Sequence, residues 1–91
     1  GMVAMIKWDD DGDVVVAIHN LWRQDTTATY YLPSDVLAAL PVDPCTDYRL
    51  RDLLTDEVVD SCRQGVTYAD RLTVWMSGDQ RVRWLAFERC D

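Results

Sequence analysis

The sequence predicts an all-β fold, an antiparallel β-sandwich of about six to eight short strands with one short helical turn. Three observations predict it. β-Branched and aromatic residues gather in short runs. Asp-, Gly- and Pro-containing turn signals separate those runs at roughly ten-residue intervals. Several runs alternate apolar and polar side chains with the two-residue period of a half-buried strand.

Residues 3–8 read as the first strand. Asp9-Asp10-Asp11-Gly12-Asp13 then supplies a tight hairpin turn, because Asp-Gly tolerates the positive φ that such turns need. Residues 14–18, Val-Val-Val-Ala-Ile, form the strongest strand: branched Cβ atoms suit a pleated surface and resist a helix. Unbroken apolarity there predicts that both faces are covered, and therefore a central strand. Residues 19–25 are a loop or strand end carrying Trp22. Residues 26–32 are β-rich again, with Thr29, Tyr30 and Tyr31, and Pro33 ends them.

Ser34 can cap a helical turn over residues 35–40, with Val36, Leu37 and Leu40 on one side; Pro41 and Pro44 stop it. In residues 48–54, Tyr48, Leu50, Asp52 and Leu54 share one strand face, and Arg49, Arg51 and Leu53 share the other. A turn at residues 55–57 leads into a weak strand from Val58, and residues 61–69 read as polar and irregular. Leu72, Val74 and Met76 share a face, opposite Thr73 and Trp75. After the Ser77-Gly78-Asp79 hairpin turn, the last strand sets Val82, Trp84 and Ala86 opposite Arg83, Leu85 and Phe87, which places Trp84 in the core.

The chain has 91 residues, enough for a single domain over residues 1–91 but with little room for a deep pocket and its supporting shell. Its hydrophobic fraction of 48% and charged fraction of 27% belong to a globular domain. The net charge of −7, with nine basic residues scattered among sixteen acids, disfavours nucleic acid and anionic membrane surfaces. No apolar run approaches the length of a bilayer span, and the apolar start lacks the basic segment and cleavage site of a signal peptide. Cys45, Cys62 and Cys90 are odd in number, widely spaced and without a Cys-x-x-Cys, so reduced thiols and a cytoplasmic setting are expected.

Little in the sequence carries chemistry. His19 has no serine or second histidine at a recognisable spacing and reads as a structural residue at a strand end. The run of acids at residues 9–13 has its glycine fourth, whereas a calcium loop needs it sixth, so the run reads as a turn and no metal or cofactor is expected. Glycoside hydrolysis needs two carboxyls facing across a cleft; only Asp52 lies within a strand, and pairing with an Arg or a backbone amide accounts for it. Indoles are the exception, because flat aromatic faces can stack against sugar rings. Trp22, in a loop, is the first candidate carbohydrate platform and Trp75 the second; Trp8 sits beside a turn.

The order of segments carries a resemblance. Met5-Ile6-Lys7-Trp8, an acidic turn, and a Val-rich strand running into Asn20-Leu21 come first. A Thr-rich stretch ends in Leu32-Pro33, Tyr48 precedes Asp52-Leu53-Leu54-Thr55-Asp56-Glu57, and a strand–turn–strand closes the chain over residues 72–88. This order resembles the C-terminal β-sandwich domain of α-amylase-family (glycoside hydrolase family 13) enzymes, most closely their α-1,4-glucan maltosyltransferase branch. The resemblance implies a non-catalytic accessory domain that packs on a catalytic (β/α)₈ barrel and contacts α-glucan in some members. Their catalytic acids sit on the barrel, so no catalytic residue is carried over. An independent carbohydrate-binding module, or a homo-oligomer joined through an apolar face, are the competing expectations.

Overall fold

A computed structural model describes all residues except Gly1, Leu32, Pro33, Gln80 and Asp91, and gives no side-chain placement for Met2, Ser34, Leu37, Ala69 and Asp70. The expected stop at Pro33, the Ser34 cap and the inward face of Leu37 therefore lie outside what is described. The described strands are β1 (Met2–Trp8), β2 (Val14–Asn20), β3 (Thr26–Tyr30), β4 (Asp47–Asp52), β5 (Val58–Gln64), β6 (Leu72–Met76) and β7 (Val82–Arg89). Two short helices, α1 (Ser34–Ala39) and α2 (Gly65–Asp70), connect them. The strands form a five-stranded sheet in the order β1-β2-β7-β4-β5 and a two-stranded sheet, β3-β6; all pairings are antiparallel.

The acidic run is a hairpin turn. Asp9 Oδ1 accepts the Asp11 and Asp13 backbone N–H groups at 3.0 and 3.1 Å, and Gly12 adopts φ 91°. Strand β2 is hydrogen-bonded on both sides, to β1 and β7, in the central position expected of a Val-rich run, but the expected cover on both faces is not found: Val15 and Ala17 line a surface groove on the outward face. Its Val14, Val16 and Ile18 face inward with Tyr48 and Leu50 of β4 and Leu85 of β7. Leu72, Val74 and Met76 of β6 close the core from the smaller sheet, joined by Leu40, Val42 and Tyr68. Each large apolar side chain buried this way contributes roughly 1.5–3 kcal/mol.

Four expectations about β5 to β7 are corrected. The Ser77-Gly78-Asp79 turn closes no hairpin: β6 pairs with β3 in the smaller sheet, and β7 with β2 and β4 in the larger. Residues 61–69 are not irregular: they form most of β5 and α2. Their polar composition hides one deep anchor, Tyr68, whose hydroxyl donates to the Tyr48 carbonyl at 2.9 Å and whose ring meets Phe87 edge-on at 5.2 Å. The thiols are not all reduced: Cys62 on β5 and Cys90 just past β7 form a disulfide, leaving Cys45 free and exposed. Linear spacing misses this pair because β5 and β7 flank β4 on either side, and only the folded sheet brings Cys62 and Cys90 together.

Trp84 is the fourth correction. It is 44% exposed and faces away from the core. The inward residue is Arg83, whose guanidinium meets Asp52 at 3.1 Å and Glu57 at 3.3 Å. A one-residue change of parity exchanges the two faces of a strand, so burying this ion pair turns the indole outward. The partner expected for Asp52, a nearby Arg, is thus in place.

Candidate functional site

The outward face of the larger sheet is the best-formed surface feature among the described residues. Strand register places its side chains in rows. Met5, Ala17 and Trp84 make one row; Lys7, Val15, Ala86 and Arg51 make the next; Val3, His19 and Val82 make a third. Leu53, whose N–H donates to the Trp84 carbonyl at 2.8 Å, extends the first row past the end of β4. Together Met5, Val15, Ala17, Leu53 and Trp84 enclose a groove of about 230 Å³, with Lys7 and His19 as its polar walls. Val3, Met5, Leu53 and Trp84 each leave close to half of their surface in solvent.

His19 therefore sits at a strand end, as expected, but over this groove and not in the core. Among the described residues neither its side chain nor that of Lys7 has a hydrogen-bond or ion-pair partner. The next charges along the face are already paired: Glu88 Oε1 accepts from both Arg49 and Arg51 at 3.0 Å. Those two hydrogen bonds hold the Glu88 carboxyl below the usual glutamate range, and the same carboxylate raises Arg51.

Trp22 and Trp75 are both exposed, at 52% and 54%. Trp22 rides on a loop held by Asn20, which is buried: its Oδ1 accepts the Trp22 N–H and its Nδ2 donates to the Gln24 carbonyl, both at 3.0 Å. The surface beside Trp22 is a wide, shallow depression lined by Leu21, Arg23 and Gln24. Trp75 stands on β6 opposite Thr27, on the outward face of the smaller sheet. The structure does not bring the two indoles into one depression. It adds Trp84, an indole that alternation assigned to the core; the signal that would have found it is the need to pair Asp52 with Arg83.

The remaining shifted groups have local causes. The Asp43 carboxyl is lowered first by the Cys45 backbone N–H and then by the Thr46 side chain. Burial raises Tyr30, and burial pushes Tyr68 up to about 12 with Asp60 adding to the shift. Among the described residues no group of three or more His, Cys, Asp or Glu side chains could hold a metal ion. Among the described residues no helix is long and apolar enough to cross a membrane. Compared with known proteins, the chain matches no family model, no curated protein and no solved structure.

Proposed function

We propose that this chain is a non-catalytic accessory domain that docks on a catalytic partner through the outward face of its larger sheet. The observation that carries the reading is the groove around Trp84: Met5, Leu53 and Trp84, each about half exposed, converge over Val15 and Ala17 on one sheet face. Contiguous exposed apolar surface of this kind marks an interaction site. Its composition favours a protein surface over a sugar. A sugar site presents several converging hydrogen-bonding side chains, and here only Lys7 and His19 border the apolar floor. The resemblance to family-13 C-terminal domains makes a (β/α)₈ barrel of the maltosyltransferase branch the expected partner and α-glucan a further contact, with Trp22 and Trp75 as the platforms.

The cytoplasmic setting drawn from the cysteines rests on reduced thiols, and the Cys62–Cys90 bridge removes that premise. A bridge of this kind persists in oxidising compartments.

The test is titration of the chain with such a barrel produced without its own C-terminal domain, followed by calorimetry. Binding that Trp84→Glu and Leu53→Glu abolish, while both variants keep their circular dichroism, is the expected result. No heat at about 100 µM, an affinity weaker than roughly 5 kcal/mol, would reject a barrel partner. Parallel titration with malto-oligosaccharides reads the glucan contact: Trp22→Ala should remove any change in indole fluorescence.

A further inference from the structure

The two edges of the larger sheet are built differently. The β5 edge carries Asp60 and Arg63, an ion pair at 3.1 Å; its register with β4 is irregular; and Cys62 ties it to Cys90. Charges and irregularities are the devices that blunt an edge against pairing with another chain. The β1 edge has one charge and none of the irregularities. All seven of its residues pair with β2 without a break, and Lys7 is its sole charge. Beyond β2 its backbone makes no hydrogen bond among the described residues.

Side chains on both faces of β1 are also uncovered. Outward, Val3 and Met5 are about half exposed beside the Trp84 groove. Inward, Ala4 is exposed and Ile6 half-buried, beside a second apolar gap of about 200 Å³ shared with Val16, Tyr30, Tyr31, Val36 and Leu72. A strand added at this edge must therefore be apolar on both faces. Strand β1 itself meets that requirement.

We propose that two copies of this chain join β1 to β1 in antiparallel register about a two-fold axis at Met5, making one continuous ten-stranded sheet. Charge selects the register. Centred on Met5, the pairing sets Lys7 opposite Val3 of the second copy and Ala4 opposite Ile6, with no like charges facing. Centred on Lys7, it would set two ammonium groups against each other, which destabilises a cross-strand pair. The Met5 register also overlaps all seven residues. The contact is about 23 Å long at roughly 3.3 Å per residue, on a molecule 35 Å in its longest dimension. Two such strands bury on the order of 1,000 Å², the lower limit for a specific interface, so the dimer is weak and concentration-dependent. It uses the sheet edge, shares only Met5 with the lining of the groove, and is read from the mass of the chain alone, so its outcome is distinguishable from that of the docking reading.

Sedimentation of the whole chain over a concentration series tests it. The average mass should rise from the 10.5 kDa monomer toward twice that value. M5K and M5E should each be monomeric, because a charge at Met5 faces its own copy across the axis, and an equimolar mixture of the two should restore the dimer. V3E, which sets a carboxylate opposite the second copy's lysine, should tighten the dimer by about threefold to tenfold. Should the charged variants lose their fold, C45S/M5C provides the second measurement: it should cross-link to a dimer under mild oxidation, whereas C45S/V66C, exposed elsewhere, should not. A wild-type chain monomeric at about 1 mM, a dimer indifferent to M5K, an M5K and M5E mixture that stays monomeric, or no preferential M5C cross-link would overturn the proposal.

Discussion

The buried Arg83–Asp52 pair decides which face of β7 points inward, so removing its carboxylate should be among the most damaging single changes in the chain. The Asp52 side chain is 0% exposed and that of Arg83 5%. In Asp52→Ala the guanidinium keeps Glu57, at 3.3 Å and 58% exposed, as its remaining acidic partner among the described residues. Breaking a buried pair on one side costs roughly 3–5 kcal/mol, because the other charge stays buried without its partner. The Leu54 N–H also loses its acceptor, Asp52 Oδ1 at 2.9 Å, for about 1 kcal/mol more. A domain of this size holds about 5–15 kcal/mol in total. At roughly 4–8 °C per kcal/mol, the melting temperature should fall by more than about 12 °C. Urea unfolding followed by tryptophan fluorescence gives the free energies. Asp52→Asn keeps the Leu54 acceptor and isolates the charge; D52L/R83M replaces both partners with apolar groups and should recover most of the loss. A cost below about 1 kcal/mol for Asp52→Ala, or a double variant no more stable than the single one, would refute the argument.

Three further outcomes follow from the same structure. The Cys62–Cys90 bridge spans 28 residues, and loop-closure entropy assigns it about 3–4 kcal/mol; Cys62→Ser or reductant should lower stability by that amount, and native thiol titration should find Cys45 alone reactive. Gly65→Ala should cost about 2 kcal/mol or more, since its Cβ would meet the Asp43 carbonyl oxygen at 2.5 Å. Gly12→Ala, with open space around it but φ 91°, should cost about 1 kcal/mol; the reverse ranking in urea melts would contradict the packing given for the start of α2. Tyr68, raised to about 12 against an unfolded value near 10, keeps its proton in the fold. Its contribution is complete below pH 10 and lost as pH rises toward 12, so Tyr68→Phe should lessen the alkaline decline measured by unfolding across that range.

What the sequence conveyed about the fold was what its periodicities encode. Val14, Val16 and Ile18, the Leu72–Val74–Met76 alternation and the Asp-Gly hairpin all lie where local pattern and turn chemistry put them. Residues 61–69 were opaque for a physical reason. Strand β5 is an edge with most of its side chains exposed, so no apolar period marks it, and α2 is fixed by one tyrosine and a close backbone approach at Gly65. The disulfide was opaque for another: pairing of cysteines depends on which strands neighbour one another, and spacing along the chain does not carry that information.

The site was harder to read than the fold because its principal residue depended on a polar decision. In β7 both parities offer an apolar set, Val82-Trp84-Ala86 or Leu85-Phe87 with Arg83, and hydrophobicity alone favours the first. The second wins because Asp52 already lies inward on β4, on the same face as Tyr48 and Leu50, and a buried carboxylate needs a cation. Once Arg83 turns in to meet it, Trp84 must turn out, alongside Met5 and Ala17 in the same row. The apolar floor of the outward face is thus tied to the ion pair beneath it. A change at Asp52 that freed Arg83 would remove the constraint that keeps the indole on the surface, so loss of docking and loss of stability should accompany one another in Asp52 variants, whereas Trp84→Glu should separate them.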